Sequence, residues 1–391
     1  MQDVKNAVAQ QKDFVVKLRR DLHQIPETAF TEEKTSAYVT RVLEKLGLPV
    51  TTGIARFGVV AQLDTGRSGP VLMIRADMDA LPIAEDTGLA FTSRHPGVMH
   101  ACGHDAHMAM ALGAAAALVQ LKESLRGTVK FVFQPAEEGP GGAQPMIEAG
   151  VMENPKVDYA FGCHVWPDIP AGCVGVREGP LLASMGRFDL KIIGQGGHGA
   201  MPHQCVDALE IGCQVVSALQ RIVSRQMNPL TPTVVTVGSF HAGSAFNIIA
   251  PEADLCGTLR TFERDIWQSW PQRLEKIIGG VCSAMGATYN LKLSPGYPPT
   301  INDADMAAVV RACARETVGP QKVVEPSPTM GGEDMSFFLE KAKGCFFCLG
   351  TGYRGGAPIH NAHFDFHEDM LGIGVEIYCR TALKLLARIG L

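Results

Sequence analysis

Three short apolar runs each break off into acids or a histidine, and this pattern limits the chain's fold more than any other. Val71-Leu72-Met73-Ile74-Arg75 runs into Ala76-Asp77-Met78-Asp79. Thr128 to Phe133 runs into Gln134-Pro135-Ala136-Glu137-Glu138-Gly139, and Tyr159-Ala160-Phe161-Gly162-Cys163 delivers His164. Short continuous apolar runs suit strands that are covered on both faces. Helical patterns separate them. Residues 3–24 place Val4, Val8, Val15, Leu18 and Leu22 near helical spacing, Thr31 to Leu46 closes on Gly47, and an apolar run starts at Met108. Helices alternating with buried strands predict an α/β domain with a largely parallel sheet. Such sheets carry their sites where the strands end.

From about Met185 the texture changes. Phe188 to Ile193 alternates apolar and polar, and a helix is expected from about Asp207 to Arg225. Strands at 233–238 and 253–260, a helix at 265–285 and a strand at 288–293 follow. This β-α-β-β-α-β order predicts a small ferredoxin-like insert over residues 185–294. Pro295, Pro298 and Pro299 mark the return, after which α/β texture resumes. The expected organisation is one domain from residues 1–184 and 295–391, interrupted by the insert. A chain of 391 residues exceeds what one core usually serves.

The densest chemistry lies in His100-Ala101-Cys102-Gly103-His104-Asp105-Ala106-His107, just ahead of the apolar run. A thiol and imidazoles this close suggest a metal site. A structural-zinc ribbon would need a second such cluster, which the chain lacks, so any partners are single residues elsewhere. Asp77 and Asp79 read either as turn-capping carboxylates or as acids that orient a metal-bound imidazole. Glu137-Glu138 is an exposed acidic loop or, beside a cation, a ligand next to a proton acceptor. His164 and His363 are weak alone and gain weight jointly.

Other features read as bland. Cys345-Phe346-Phe347-Cys348 is an apolar strand whose cysteines face opposite sides, so it is read as core rather than as a redox pair. The Gly-rich stretch 194–199 lacks the frame of a dinucleotide site. A net charge of −5 without a basic block argues against nucleic acid. The apolar run from Met108 is shorter than the roughly 20 residues of a membrane span. Eleven cysteines scattered through the chain, with no secretory apolar segment at the start, suggest reduced thiols in the cytoplasm.

Taken together, these stretches resemble the M20 family of metallopeptidases and amidohydrolases. The likeness is to the branch of hippurate hydrolases, N-acyl-amino-acid amidohydrolases and plant auxin-conjugate hydrolases. Its motifs are Arg75 to Pro82, His100 to His107, Gln134 to Gly139, Gly197 to His203, Met330-Gly331-Gly332-Glu333-Asp334 and His363-Phe364-Asp365-Phe366. The resemblance implies a metal-dependent exopeptidase-like catalytic domain and an insert acting as lid and dimerisation domain. It implies Cys102, His104, Glu138, His164 and His363 as ligands of two divalent cations (Mn²⁺ or Zn²⁺, with Co²⁺ or Ni²⁺ as alternatives). Glu137 would be the general base and Asp79 the acid that orients a ligand histidine. Asp77 stands where many relatives carry a ligand histidine. His198 would polarise the scissile carbonyl, from its own or a partner subunit, and Asn247 and Arg260 would hold the substrate carboxylate.

The expected function is therefore hydrolysis of the amide bond of N-acyl-amino acids, hippurate-like or N-acetylated. The partners would be this small-molecule substrate and further copies of the chain in a homodimer or homotetramer, with neither nucleic acid nor membrane. Deacetylation of N-acetyl-diaminopimelate or dipeptide cleavage is the alternative within the family. A metal-binding protein without catalysis is the alternative outside it.

Overall fold

A computed structural model describes residues 2–387. The chain forms two compact units, one of residues 1–181, 301–327 and 334–391, the other of residues 182–300 and 328–333. The sequence expectation set the insert at 185–294.

The first unit is built on a mixed eight-stranded sheet. Its order is Val50–Ile54, Gly58–Asp64, Thr128–Gln134, Val71–Asp77, Tyr159–Pro170, Lys343–Gly352, Val174–Gly175 and Val323–Val324. The centre is parallel: Val71–Asp77 pairs with Thr128–Gln134 and Tyr159–Pro170, and Tyr159–Pro170 pairs with Lys343–Gly352. Gly58–Asp64 runs antiparallel to Thr128–Gln134. Both Val71–Asp77 and Thr128–Gln134 are buried at every residue, as the apolar runs demand. Phe131, Phe133, Phe161 and Phe347 lie fully or almost fully inside, each stabilising the fold by roughly 1.5–3 kcal/mol. The helix His104–Gln120 is buried on almost every side and packs against Lys12–His23 and Leu371–Leu386.

Two local readings differ. The single helix expected over 3–24 is two, Gln2–Ala9 and Lys12–His23, parted at Gln10–Gln11 with no glycine or proline to signal it. The edge strand Val50–Ile54 was not anticipated, because its Thr-Thr-Gly centre is exposed and carries no apolar pattern.

The second unit holds a four-stranded antiparallel sheet ordered Thr233–Ala242, Glu252–Thr261, Gly186–Ile193, Thr288–Ser294. Counted along the unit this is second, third, first, fourth, the ferredoxin-like order. The helices Ala208–Arg221 and Arg264–Ala284 supply the rest of a core that includes Phe188, Leu190, Leu219, Leu255, Trp270 and Ile278. Asp207 starts the first of these helices by accepting the Leu209 and Glu210 amides at 3.0 and 3.2 Å. Among the described residues no helix is long and apolar enough to cross a membrane.

Candidate metal centre

The strand Val71–Asp77 ends in a carboxylate with no exposed surface. A buried charge needs partners, and Asp77 has three. Its Oδ1 accepts the Nδ1–H of His107 at 2.6 Å, its Oδ2 accepts Arg75 at 2.8 Å, and His104 Nε2 lies 3.8 Å away. The Nε2 of His107 accepts the Val165 amide at 2.9 Å. Both ring nitrogens of His107 are therefore engaged, which makes it a buttress between two strands.

Two residues on, Asp79 performs three tasks. Its Oδ1 and Oδ2 accept the amides of Glu137 and Glu138 at 2.9 and 3.0 Å, and its carbonyl accepts the Nδ1–H of His104 at 2.8 Å. The loop bearing the two glutamates is also tied from behind. Asp334 accepts Gln134, Arg75 and the Gly142 and Ala143 amides at 2.7 to 3.0 Å. Gly142 is required for that closure, since a Cβ there would lie 1.9 Å from the Pro135 carbonyl oxygen.

Gly103 turns the chain between Cys102 and His104 at φ +86°, a left-handed geometry that suits glycine. His104 then opens the helix with Nδ1 committed to Asp79, so its Nε2 faces the cluster, and that atom is buried without a hydrogen-bond partner among the described residues. His164 repeats the device from the strand Tyr159–Pro170. Its Nδ1–H donates to the Val165 carbonyl at 2.6 Å, and its Nε2 stands 3.4 Å from Cys102 Sγ. Glu138 Oε1 lies 3.9 Å from His104 Nε2 and 3.2 Å from His360 Nε2, and Glu137 Oε2 lies 4.0 Å from His104 Nε2. Within each of the sets Cys102–His104–His164, Cys102–Glu138–His360 and His104–Glu137–Glu138, one atom per residue lies within 4.8 Å of the others.

The electrostatics favour a cation here. Burial opposes charge on His104, yet Asp77, Asp79 and Glu138 outweigh it and push the imidazole up to about 10. Burial and the neighbouring His107 push His164 down to about 3, which leaves its Nε2 lone pair free. Burial, then Glu138 and Glu137, raise the Cys102 thiol well above its ordinary range. A divalent cation reverses that last effect and would replace the proton on His104. One thiolate, three imidazoles and a carboxylate, with two ring tautomers fixed by main-chain carbonyls, form a donor set that fits such ions.

The structure brings together Asp79, Cys102, His104, Glu137, Glu138 and His164 from the residues singled out in the sequence. His363 is not among them, a correction to the sequence reading. Its Nδ1–H donates to the Asp86 carbonyl and its side chain is 62% exposed. His360, three residues earlier, takes its place. His360 adopts φ +62°, and its amide is pinned to the Ala101 carbonyl at 2.8 Å, beside Cys102. The sequence offered both histidines in one short irregular stretch and no periodicity to choose between them.

His198, Asn247 and Arg260 belong to the second unit. The short strand Gly197–His198 pairs with Ile248–Ile249, and the Asn247 carbonyl accepts the Gly199 amide at 2.8 Å. His198 Nδ1 accepts the Ala200 amide at 3.1 Å, which fixes the proton on Nε2. Arg260 donates to the Leu259 carbonyl at 3.3 Å and has no acidic partner among the described residues. The Cys345 and Cys348 thiols are buried and pushed up by burial, as a core strand requires.

Residues 73–384 match the peptidase family M20/M25/M40. The chain is 46% identical over 302 residues to an N-acyl-L-amino acid amidohydrolase of Geobacillus stearothermophilus, covering 77% of this chain and 81% of that one. It is 38% identical over 391 residues to thermostable carboxypeptidase 1 of Saccharolobus solfataricus, covering 98% of each. Among solved structures, the YXEP protein of Bacillus subtilis, described as a dinuclear metal binding peptidase, superposes with a TM-score of 0.82. It is 34% identical, with 98% of this chain and 99% of that one covered.

Proposed function

This chain is a member of the peptidase family M20/M25/M40, and on that premise we propose how its site works. The protein is a metal-dependent amidohydrolase. The site fits two divalent cations, for which Cys102, His104, Glu138, His164 and His360 are the proposed ligands. Bound there, such cations supply Lewis acidity for an amide carbonyl and acidify a water. The Glu137 carboxylate takes the proton of the attacking water and returns it to the leaving amine nitrogen. Asp79 keeps Glu137 and Glu138 in place through their amides and fixes the tautomer of His104.

The proposed substrates are N-acyl-amino acids, cleaved to a carboxylic acid and an amino acid. Arg260, whose planar guanidinium has no acid of its own, is the proposed partner of the free carboxylate, with Asn247. The Nε2–H of His198 is the proposed donor to the carbonyl oxygen. The thiolate favours zinc, with manganese, cobalt or nickel as alternatives. Eleven free cysteines suit a cytoplasmic setting, and assembly as a dimer or tetramer through the second unit is part of the same reading.

The pair of Nε2 atoms left open by Nδ1-to-carbonyl bonds, facing Cys102 and Glu138 with Glu137 alongside, carries this reading. The test is elemental analysis of the purified protein followed by hippurate, N-acetyl-amino acids and dipeptides as substrates. Chelator-sensitive cleavage of the acylated amino acids is expected. Cleavage of dipeptides alone would move the assignment to a peptidase, the second reading favoured by the Saccharolobus relative.

A further inference from the structure

We propose that Glu32 is a positioning residue for the general base, holding Glu137 in place through the backbone of Ala136. This rests on the amidohydrolase reading above. Glu32 is fully buried and sits at the start of the helix Glu33–Lys45, yet its side chain does nothing for that helix. The helix amides Lys34 and Thr35 are capped by Glu27 instead, at 3.2 and 2.9 Å. The Oε1 of Glu32 accepts the Phe30 amide at 3.0 Å and, from 104 residues away, the Ala136 amide at 2.8 Å.

Ala136 needs such a hold. It lies at φ +56°, a left-handed conformation that a residue with a Cβ adopts only under constraint. Its carbonyl accepts the Gly141 amide at 3.0 Å. The next two amides, of Glu137 and Glu138, end on Asp79. Three successive amides are thus taken by two buried carboxylates, which set the direction in which Glu137 leaves the chain. At the other end of the same segment the Glu27 carbonyl accepts the Ala80 amide at 2.8 Å. Residues 27–32 therefore tie both loops that carry the chemistry, the one with Asp79 and the one with Glu137.

Burying this carboxylate without a cation is costly. Burial, opposed by backbone amides and reinforced by Asp79, pushes Glu32 up to about 7. An acceptor at Oε1, rather than a charge, is what Ala136 requires.

The test compares Glu32→Gln, which keeps the acceptor, with Glu32→Asp, which keeps the charge and withdraws the oxygen by one methylene, and with Glu32→Ala. Glu32→Gln should keep kcat within about threefold, while Asp and Ala lower it about 10- to 100-fold, the scale of an ångström's misplacement. In the Asp and Ala variants KM should stay within about twofold and bound metal should be unchanged, since the loss is of positioning and not of binding. In metal-free protein, amide exchange at Ala136 should quicken in the Asp and Ala variants and not in Gln. Unchanged kcat in Glu32→Ala, or Ala136 still protected there, would overturn the proposal. If the Ala variant does not fold, an Asp variant as active as Gln would do the same. Glu137→Gln is run alongside. If wild type cleaves no substrate, the amidohydrolase reading falls, and if Glu137→Gln stays active, the general-base role of Glu137 falls; in either case amide exchange alone still decides whether Glu32 holds Ala136.

Discussion

In the first unit the strands Val71–Asp77 and Thr128–Gln134 are buried along their whole length, whereas in the second Gly186–Ile193 buries only alternate residues and Thr288–Ser294 only half-buries them. A strand sealed on both faces can hold a charge in its interior only if it is satisfied there, as Lys130 is by the Val151 and Glu153 carbonyls, and otherwise carries its charges at its end. That is where Asp77, Asp79 and Glu137 stand, held by amides, Arg75 and imidazoles. The alternating sheet sends its charges to water. Its ion pairs Arg187–Asp189 and Lys191–Glu252 are exposed, so water and salt screen them and they stabilise the fold little. Buried charge in the first unit has to be satisfied by named partners, whereas these exposed pairs of the second are screened by water.

The largest expected effect is that of Glu137→Gln. Loss of a general base should lower kcat about 10²- to 10⁴-fold at an unchanged metal content. A fall below tenfold would make the buried acids of the first unit structural. Next, His360→Ala should weaken metal retention at least about tenfold, while His363→Ala leaves it unchanged, as read by metal analysis after graded chelation. Equal losses would undo the correction made above.

In the second unit, Phe188→Ala should cost about 3–5 kcal/mol in denaturant unfolding, because Phe188 faces the core with no exposed surface. Arg187→Ala, one residue earlier on the wet face, should leave the unfolding midpoint essentially unchanged.

The last effect concerns pH. Burial opposes charge on His23, but Asp105 at 2.8 Å and Glu85 at 3.2 Å prevail and push it up to about 9. A folded pKa above the ordinary value means that the stabilisation is complete below about 6.5 and lost as pH rises through about 9, worth about 1–3 kcal/mol. His23→Gln should flatten stability between pH 7 and 9.5, and an unchanged slope would place the titration elsewhere.

How much of this was legible in the sequence follows from the same contrast. Strands buried on both faces show as apolar runs, so the sheet centre and the acids at its strand ends were readable. The alternation of Phe188 to Ile193 marked the second unit as plainly. Contacts set by irregular backbone were not readable. His360 enters the cluster because of a left-handed turn and one amide bond to Ala101, neither of which has a residue pattern. Residues 328–333 join the second unit through pairing such as Thr329 with Ala183, far apart in the chain. Nothing in the residue pattern sets Glu32 apart from an ordinary acid at a helix start, and its bond to Ala136 exists only in the fold.

One feature of the centre limits how this chain can vary. A Cβ on Gly103 would fall 2.4 Å from Val165 Cγ2, and the main chain of Val165 is bonded to His107 through its amide and to His164 through its carbonyl. The next residue after Gly103 is His104. A single added methyl group would therefore press on three imidazoles at once, and trimming Val165 would remove the clash without relieving the left-handed φ at position 103. In the mutational history of such a chain, that glycine is a point with no nearby detour.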